Sequence, residues 1–292
     1  MQGWLGWAYV AVTLGYLAAA GGYAWALGSL ARDAAARWLA RVTWAVHTGL
    51  LAVAVATGHV PFLSPQGSVF FLGWGWVLNG LVLESLLGLR ALGAFMLPPV
   101  VALLVLVAAV GGPARAGAVA AADEGLPAAS AAAVAGLGGG DPFGAPWIWL
   151  HAIIALLSYC AFGLASALAA MYLLQERQLR SKVFSRLYRH LPALEEMDRA
   201  CWWLIGSGFA LLTLALASGT LSAGQLWDDR WASDGKVIAS LAAWLFYGLL
   251  LTLRAVAGWR GRRLAYLSLV GFAVILFNYL VVGPHWSTRH VF

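Results

Sequence analysis

Eight long apolar stretches divide the chain, and shorter polar connections separate them. The stretches lie at about residues 4–29, 42–58, 67–89, 91–111, 147–174, 202–221, 237–253 and 264–283. Each is long enough to cross about 30 Å of hydrocarbon as an α-helix rising about 1.5 Å per residue. The pattern predicts an all-α polytopic membrane protein, a bundle of about eight transmembrane helices in one domain over residues 1–292.

Composition agrees with this class. The chain is 62% hydrophobic and only 10% charged, whereas soluble domains carry roughly 25% charged residues. We expect the first stretch to be a retained span, because it lacks a basic segment ahead of it and carries Trp4 and Trp7. Cys160 and Cys201 are far apart in apolar runs, which favours neither a disulfide framework nor a dithiol redox site.

The net charge of +6 is explained by membrane topology rather than by nucleic-acid binding. Fourteen Lys and Arg residues fall in one set of alternate connections and four in the other. The positive-inside rule places the richer set in the cytoplasm. Connections 59–66, 112–146 and 222–236 and both termini are then external, and we expect the bacterial cytoplasmic membrane to be the location.

Two of the connections have a distinctive composition. Residues 112–146 are rich in Ala and Gly and hold four prolines, which predicts a flexible external linker. In the cytoplasmic segment 176–200, apolar residues recur every four positions from Leu179 to Leu191 between basic residues. This spacing predicts an amphipathic helix on the inner membrane surface, with anionic lipid as its partner.

Histidines are the candidate ligands on this map. His151 and His290 are expected near the outer face, where an imidazole either ligates haem iron or another metal, or serves as a hydrogen-bonded anchor. His47, six residues from Arg41, is expected in the inner leaflet at a depth similar to that of Glu84. These two residues form either a proton-relay pair or a structural hydrogen bond between helices.

Most tryptophans lie at span ends, as an aromatic belt predicts. Trp227 and Trp231 differ, because they belong to the polar external loop 222–236 together with Asp234 and Lys236. Their spacing places them on one face if the loop is helical, which offers a flat aromatic surface suited to a planar macrocycle.

Several segments together resemble the CcsA/CcmC cytochrome c assembly proteins, nearest the HemX-type branch. The resemblance runs from about residue 43 to the end, without the 112–146 linker. Its most specific pieces are ATGHVPFLSPQGSVFFLGW (56–74), HAIIALLSYCAFGLASALAAMYLLQERQLRSK (151–182), LPALEEMD (191–198), GFALLTLALASG (208–219), WDDRWASDGK (227–236) and GWRGRRLAYLSLVGFAVILFN (258–278).

The resemblance implies transient binding of haem, in the form of haem b, at an external "WWD" loop. His151 and His290 match the two external axial ligands of the iron, and His47 is a candidate for an inner haem site. The implied partners are apocytochrome c, a CcsB-like subunit and a larger membrane assembly. The loop positions that match the family pattern are Trp227, Trp231, Asp234 and Lys236.

The chain departs from the fullest family pattern in two places. Ser233, Gly235 and Val237 replace a tryptophan, a proline and a glutamate of the loop, which reduces the aromatic surface. Thr252 stands where synthases of this type carry a membrane histidine, so one inner haem ligand is missing.

Three functions follow as hypotheses. The first is a haem-handling protein of cytochrome c biogenesis, as part of a haem-attachment system. The second is a HemX-like regulator of tetrapyrrole biosynthesis that acts through segment 176–200, which the departures at Thr252 and in the loop favour. The third is a proton-conducting or transport subunit that uses His47 and Glu84 and needs no haem.

Overall fold

A computed structural model describes residues 3–26, 30–57, 65–89, 91–111, 146–182, 188, 191–226 and 233–282. Within these ranges the long elements are eight helices, each long and apolar enough to cross a membrane, and there are no strands. The predicted all-α bundle of about eight transmembrane helices is therefore confirmed. The helices are α1 (Gly3–Ala26), α2 (Leu30–Ala56), α3 (Pro65–Leu87), α4 (Leu92–Gly111), α5 (Pro146–Ser181), α6 (Leu194–Leu226), α7 (Gly235–Ala257) and α8 (Arg262–Phe277), which continues as a π-helical turn (Asn278–Val282).

Each helix runs antiparallel to the one before it. Gly15 on α1 lies against Thr43 on α2, and Gly22 lies against Ala36, so contacts move in opposite directions along the two helices. The contacts between α2 and α3, α3 and α4, α5 and α6, α6 and α7, and α7 and α8 reverse in the same way. Helix α5 runs parallel to α3, and so antiparallel to α4, because Gly75 lies against Cys160 and Gly163 against Trp76. The bundle thus has two ends. We call the end with the start of α5, where His151 lies, the histidine end, and the opposite one the arginine end.

Helix α5 is the axis of the bundle. Of its membrane span 72% is buried, against 22–44% for the other seven spans. Small residues bring its neighbours close: a Cβ at Gly163 would stand 2.8 Å from Trp76 of α3 and 3.0 Å from Phe272 of α8. One residue earlier, the ring of Phe162 stacks on Tyr247 of α7 with centroids 3.7 Å apart.

An ion pair joins three helices at the arginine end. The carboxylate of Asp198 on α6 accepts hydrogen bonds from Arg254 on α7 at 3.1 and 2.8 Å. It also accepts the backbone N–H of Gly261, at the start of α8, at 3.1 Å. Gly258 and Gly261 have φ of 66° and 68°, a left-handed conformation that glycine adopts without steric cost and that permits the tight α7–α8 turn.

Two predicted boundaries are wrong. Helix α2 begins at Leu30, twelve residues before the predicted start at residue 42, because the helix continues through its basic first turns. In segment 176–200, residues up to Ser181 continue α5 and residues from Leu194 begin α6, so these parts are not a separate surface helix. Residues 112–145, predicted as a linker, lie outside the described residues.

Candidate functional site

His151 is held at the histidine end by helix α6. Its Nδ1 lies 2.8 Å from the carbonyl oxygen of Ala215 and 3.3 Å from the hydroxyl of Ser218. The ring packs on the backbone of Gly219, where a Cβ would stand 2.8 Å from Cε1. Any larger residue at position 219 would displace the imidazole.

The hydrogen bond to Ala215 fixes the protonation of the ring. A carbonyl oxygen only accepts, so Nδ1 of His151 carries the proton and donates it. The lone pair of a neutral imidazole then lies on Nε2. A ring oriented through one nitrogen by a backbone carbonyl is the arrangement found for histidines that bind a metal through the other nitrogen.

Two residues of the predicted loop, Asp234 and Lys236, lie at the start of α7, at the histidine end. Asp234 is buried and caps the start of α7, where its Oδ1 accepts the backbone N–H of Lys236 at 3.0 Å. The Lys236 side chain interacts electrostatically with both Asp234 and His151. The structure therefore places His151, on α5, and Asp234 and Lys236, at the start of α7, at the same end of the bundle.

Trp227, Trp231 and His290 lie outside the described residues. Their predicted contacts with a haem ring remain predictions. The described helices on either side of the two tryptophans end at Leu226 and begin at Gly235, both at the histidine end.

His47 is fully buried between α1, α2 and α3. Its Nδ1 lies 3.0 Å from the hydroxyl of Tyr16, and its ring centroid is 3.9 Å from that of Phe70. Nε2 lies near the Phe70 backbone but has no hydrogen-bond partner of good geometry. An imidazole nitrogen with unused bonding capacity is thus enclosed in the first three helices.

Among the described residues, the ring contacts of His47 are with Tyr16 and Phe70, and neither supplies a second imidazole. Thr252 lies on the exposed side of α7, and its hydroxyl donates to the carbonyl of Gly248, one turn back on the same helix, at 2.8 Å. Within the described ranges, no group of three or more His, Cys, Asp or Glu side chains has the arrangement of a metal site.

The predicted pairing of His47 with Glu84 is wrong. Glu84 accepts a hydrogen bond from Tyr23 at 3.2 Å and lies 3.8 Å from Arg37, whereas His47 contacts Tyr16. Tyr16 and Tyr23 are seven residues apart on α1, or about 10 Å. The depth estimate failed because it was counted from Arg41, which lies well inside α2 rather than at its end.

Both cysteines are buried and free, on different helices. The thiol of Cys160 lies 3.4 Å from the Leu72 carbonyl, and that of Cys201 lies 3.5 Å from the Ala165 carbonyl. Neither is placed to react at the histidine end.

The eight-helix bundle, with an oriented imidazole at the same end as a lysine and an aspartate of α7, defines a multi-pass membrane protein with a candidate metal-ligand site at that end. The chain belongs to the cytochrome c assembly protein family, whose model matches residues 63–287. The match includes His285 but ends before His290. The sequence-based prediction named His290 and did not consider His285.

Relatives of this chain are cytochrome c biogenesis proteins named CcsA. The protein of Prochlorococcus marinus subsp. pastoris is 30% identical over 79% of this chain and 76% of its own length. The Synechococcus sp. (strain CC9605) protein is 28% identical over 89% and 86%, and the Guillardia theta protein 27% over 78% and 75%. No solved structure matches the chain.

Proposed function

We propose that this protein binds haem at its histidine end and serves cytochrome c biogenesis. One observation carries the proposal: the Ala215 carbonyl fixes the His151 proton on Nδ1, which leaves Nε2 as an oriented ligand atom. Membership of the cytochrome c assembly family and the names of the CcsA relatives support the same function.

His151 supplies one axial nitrogen in this proposal, and the C-terminal tail supplies the other. His290 is the ligand that the resemblance implies. His285 is the alternative, because it falls inside the family match and follows the last described residue, Val282, by only three positions. Three residues span at most about 10 Å, so His285 is tethered close to the end of α8.

The neighbouring residues have distinct tasks. Trp227 and Trp231 pack against the faces of the ring, and Lys236 pairs with a propionate. Asp234 acts indirectly, because it caps α7 and so fixes the position of Lys236. When bound, haem supplies the vinyl groups to which apocytochrome thiols are joined, while this chain orients the ring and contributes no thiol of its own.

The charge distribution supports the orientation of this site. Fourteen of the 18 Lys and Arg residues belong to one set of connections, which includes Arg177 and Arg180 at the end of α5 and Arg199 near the start of α6. We therefore place the arginine end in the cytoplasm and the histidine end outside. We propose the bacterial cytoplasmic membrane as the location. Apocytochrome c and a CcsB-like subunit are the proposed partners, together with a larger membrane assembly.

An absorbance spectrum with a haem assay on gently solubilised full-length protein tests this function. We expect a bis-histidine haem spectrum, lost in His151→Ala and in one of the two tail variants, His290→Ala or His285→Ala. The tail variant that keeps the spectrum is the matched control for the other. Wild-type protein that contains no haem and cannot be loaded with it would refute the proposal.

His47 is a second candidate ligand, buried within the bundle beside Phe70 of α3. Among the described residues its buried Nε2 has no hydrogen-bond partner of good geometry, which supports the proposal. Spectra of His47→Ala and His151→Ala distinguish the two sites. Haem bound at His47 is lost only in the first variant, and haem bound at His151 only in the second.

A HemX-like regulator of tetrapyrrole biosynthesis is the second candidate function. The observation that favours it concerns Thr252, at the position of the missing inner ligand. Its hydroxyl is exposed and donates to the Gly248 carbonyl of the same helix. Deletion of the gene, followed by measurement of holocytochrome c and glutamyl-tRNA reductase, distinguishes the two. Unchanged reductase with reduced holocytochrome c would exclude regulation, and the opposite result would exclude assembly.

A further inference from the structure

A basic groove opens between the end of α5 and the start of α8, at the arginine end. Its volume is about 540 Å³, within the roughly 300–1,000 Å³ typical of small-molecule sites. Three arginines and a single carboxylate line it, so the groove is positively charged. The lining includes Leu173, Leu174, Arg177, Arg180, Arg262 and Tyr266.

Glu176 holds two of these arginines side by side. Arg180 donates from Nε and Nη2 to Oε1 of Glu176 at 2.9 and 2.8 Å. Nε of Arg262, on the other helix, lies 4.0 Å from Oε2 of the same carboxylate. Because a guanidinium has five N–H donors, most donors of this pair remain available for an anion.

The groove also has an apolar wall. Leu173 and Leu174 lie one helical turn before Arg177, on the membrane side of the arginines. Arg262 donates to the hydroxyl of Tyr266 at 3.5 Å and lies over its ring. Tyrosine and arginine together are typical of the boundary between hydrocarbon and headgroups.

The positions of the three arginines along their helices also agree with a location at that boundary. The apolar span of α5 covers 32 residues, whereas about 20 suffice to cross the hydrocarbon. Arg177 and Arg180, in the last turns of this span, therefore lie at headgroup depth. Arg262 is the first residue of α8 and lies at the same end.

We propose that this groove binds the headgroup of an anionic phospholipid, with the phosphate between Arg177, Arg180 and Arg262 and the acyl chain along Leu173 and Leu174. Positive charge next to an apolar wall is complementary to such a lipid and not to a zwitterionic one. A free phosphate ion shares the charge but makes no use of the apolar wall.

The test compares full-length wild-type protein with the double variant Arg180→Gln/Arg262→Gln in detergent. Phosphatidylglycerol or phosphatidylcholine is titrated in, and the rise in thermal unfolding midpoint and the lipid retained in native mass spectrometry are recorded. Arg199→Gln is the matched control, because Arg199 is also at the arginine end, 69% exposed, and pairs only along its own helix with Glu195. The charge-preserving Arg180→Lys/Arg262→Lys keeps the site electrostatically intact.

We expect the double glutamine variant to bind phosphatidylglycerol about tenfold or more weakly, while Arg199→Gln matches wild type. The lysine variant should keep most of the binding. Equal affinity in wild type and the glutamine variant would overturn the proposal, as would an equal loss in Arg199→Gln. Stabilisation by inorganic phosphate as large as that by phosphatidylglycerol would overturn the assignment to a lipid.

Discussion

At the residue scale, the orientation of His151 depends on one glycine. The imidazole lies on the backbone of Gly219 while its Nδ1 donates to Ala215, so both contacts come from a single stretch of α6. Gly219 follows Ala215 by four positions, about one turn of helix. The ring is thereby fixed in position and in tautomer by a helix that contributes no ligand itself.

Gly219→Ala should displace this ring without unfolding the protein. The added methyl would stand 2.8 Å from Cε1 of His151, closer than any ordinary contact. We expect loss of haem retention in the absorbance assay. The unfolding midpoint should stay unchanged, because alanine is about 1 kcal/mol more favourable than glycine in a helix and this gain offsets the cost of displacing the ring. Gly206→Ala on the same helix is the control, because nothing lies within 4 Å of its new methyl. Haem retention in Gly219→Ala equal to that in Gly206→Ala would show that the glycine contact is unimportant.

At the element scale, helices α6, α7 and α8 are joined by Asp198. The side chains of Asp198 and Arg254 are only 19% and 14% exposed, and the aspartate also binds the Gly261 N–H at the α7–α8 turn. The guanidinium of Arg254 in turn lies 4.9 Å from the centre of the Trp202 ring. This arrangement fixes α7 against α6, and so contributes to the position of Lys236 at the far end of α7.

Asp198→Asn should destabilise the bundle by about 3 kcal/mol, because it leaves the largely buried charge of Arg254 without its partner. Thermal unfolding in mild detergent measures the loss as a drop of several degrees in the midpoint. Glu195→Gln is the control, since it removes only the exposed pair with Arg199, worth about 1 kcal/mol or less. Similar midpoints for the two variants would show that the Asp198 pair does not join the helices energetically.

At the scale of the whole molecule, the alternating helices separate the two candidate sites. The site of His151 lies at one end of α5, and the basic groove lies at the other. His151 and Arg177 are 26 residues apart on this helix, or about 39 Å, which is more than the hydrocarbon thickness. The haem proposal and the lipid proposal therefore concern opposite membrane faces and can be tested independently.

Cysteine labelling of intact cells tests the orientation. Ser233 at the histidine end and Ser181 at the arginine end are both exposed, and the native cysteines are buried, so background labelling is low. We expect a membrane-impermeant maleimide to label Ser233→Cys, and to label Ser181→Cys only after the cells are permeabilised. The reverse result would place the histidine end in the cytoplasm and contradict the proposed presentation of haem outside.

The apolar pattern by itself determined the class, the number of helices and their approximate positions, because any helix in lipid must be apolar over a fixed length. The predictions from charged residues were wrong where helices continue beyond the hydrocarbon. Helix α2 begins in its basic stretch, and the depth counted from Arg41 wrongly paired His47 with Glu84. Only the tertiary structure decided what each polar side chain contacts. The proton on Nδ1 of His151, the capping role of Asp234 and the arginine groove all depend on contacts with other helices or on cap geometry, which periodicity and composition do not encode.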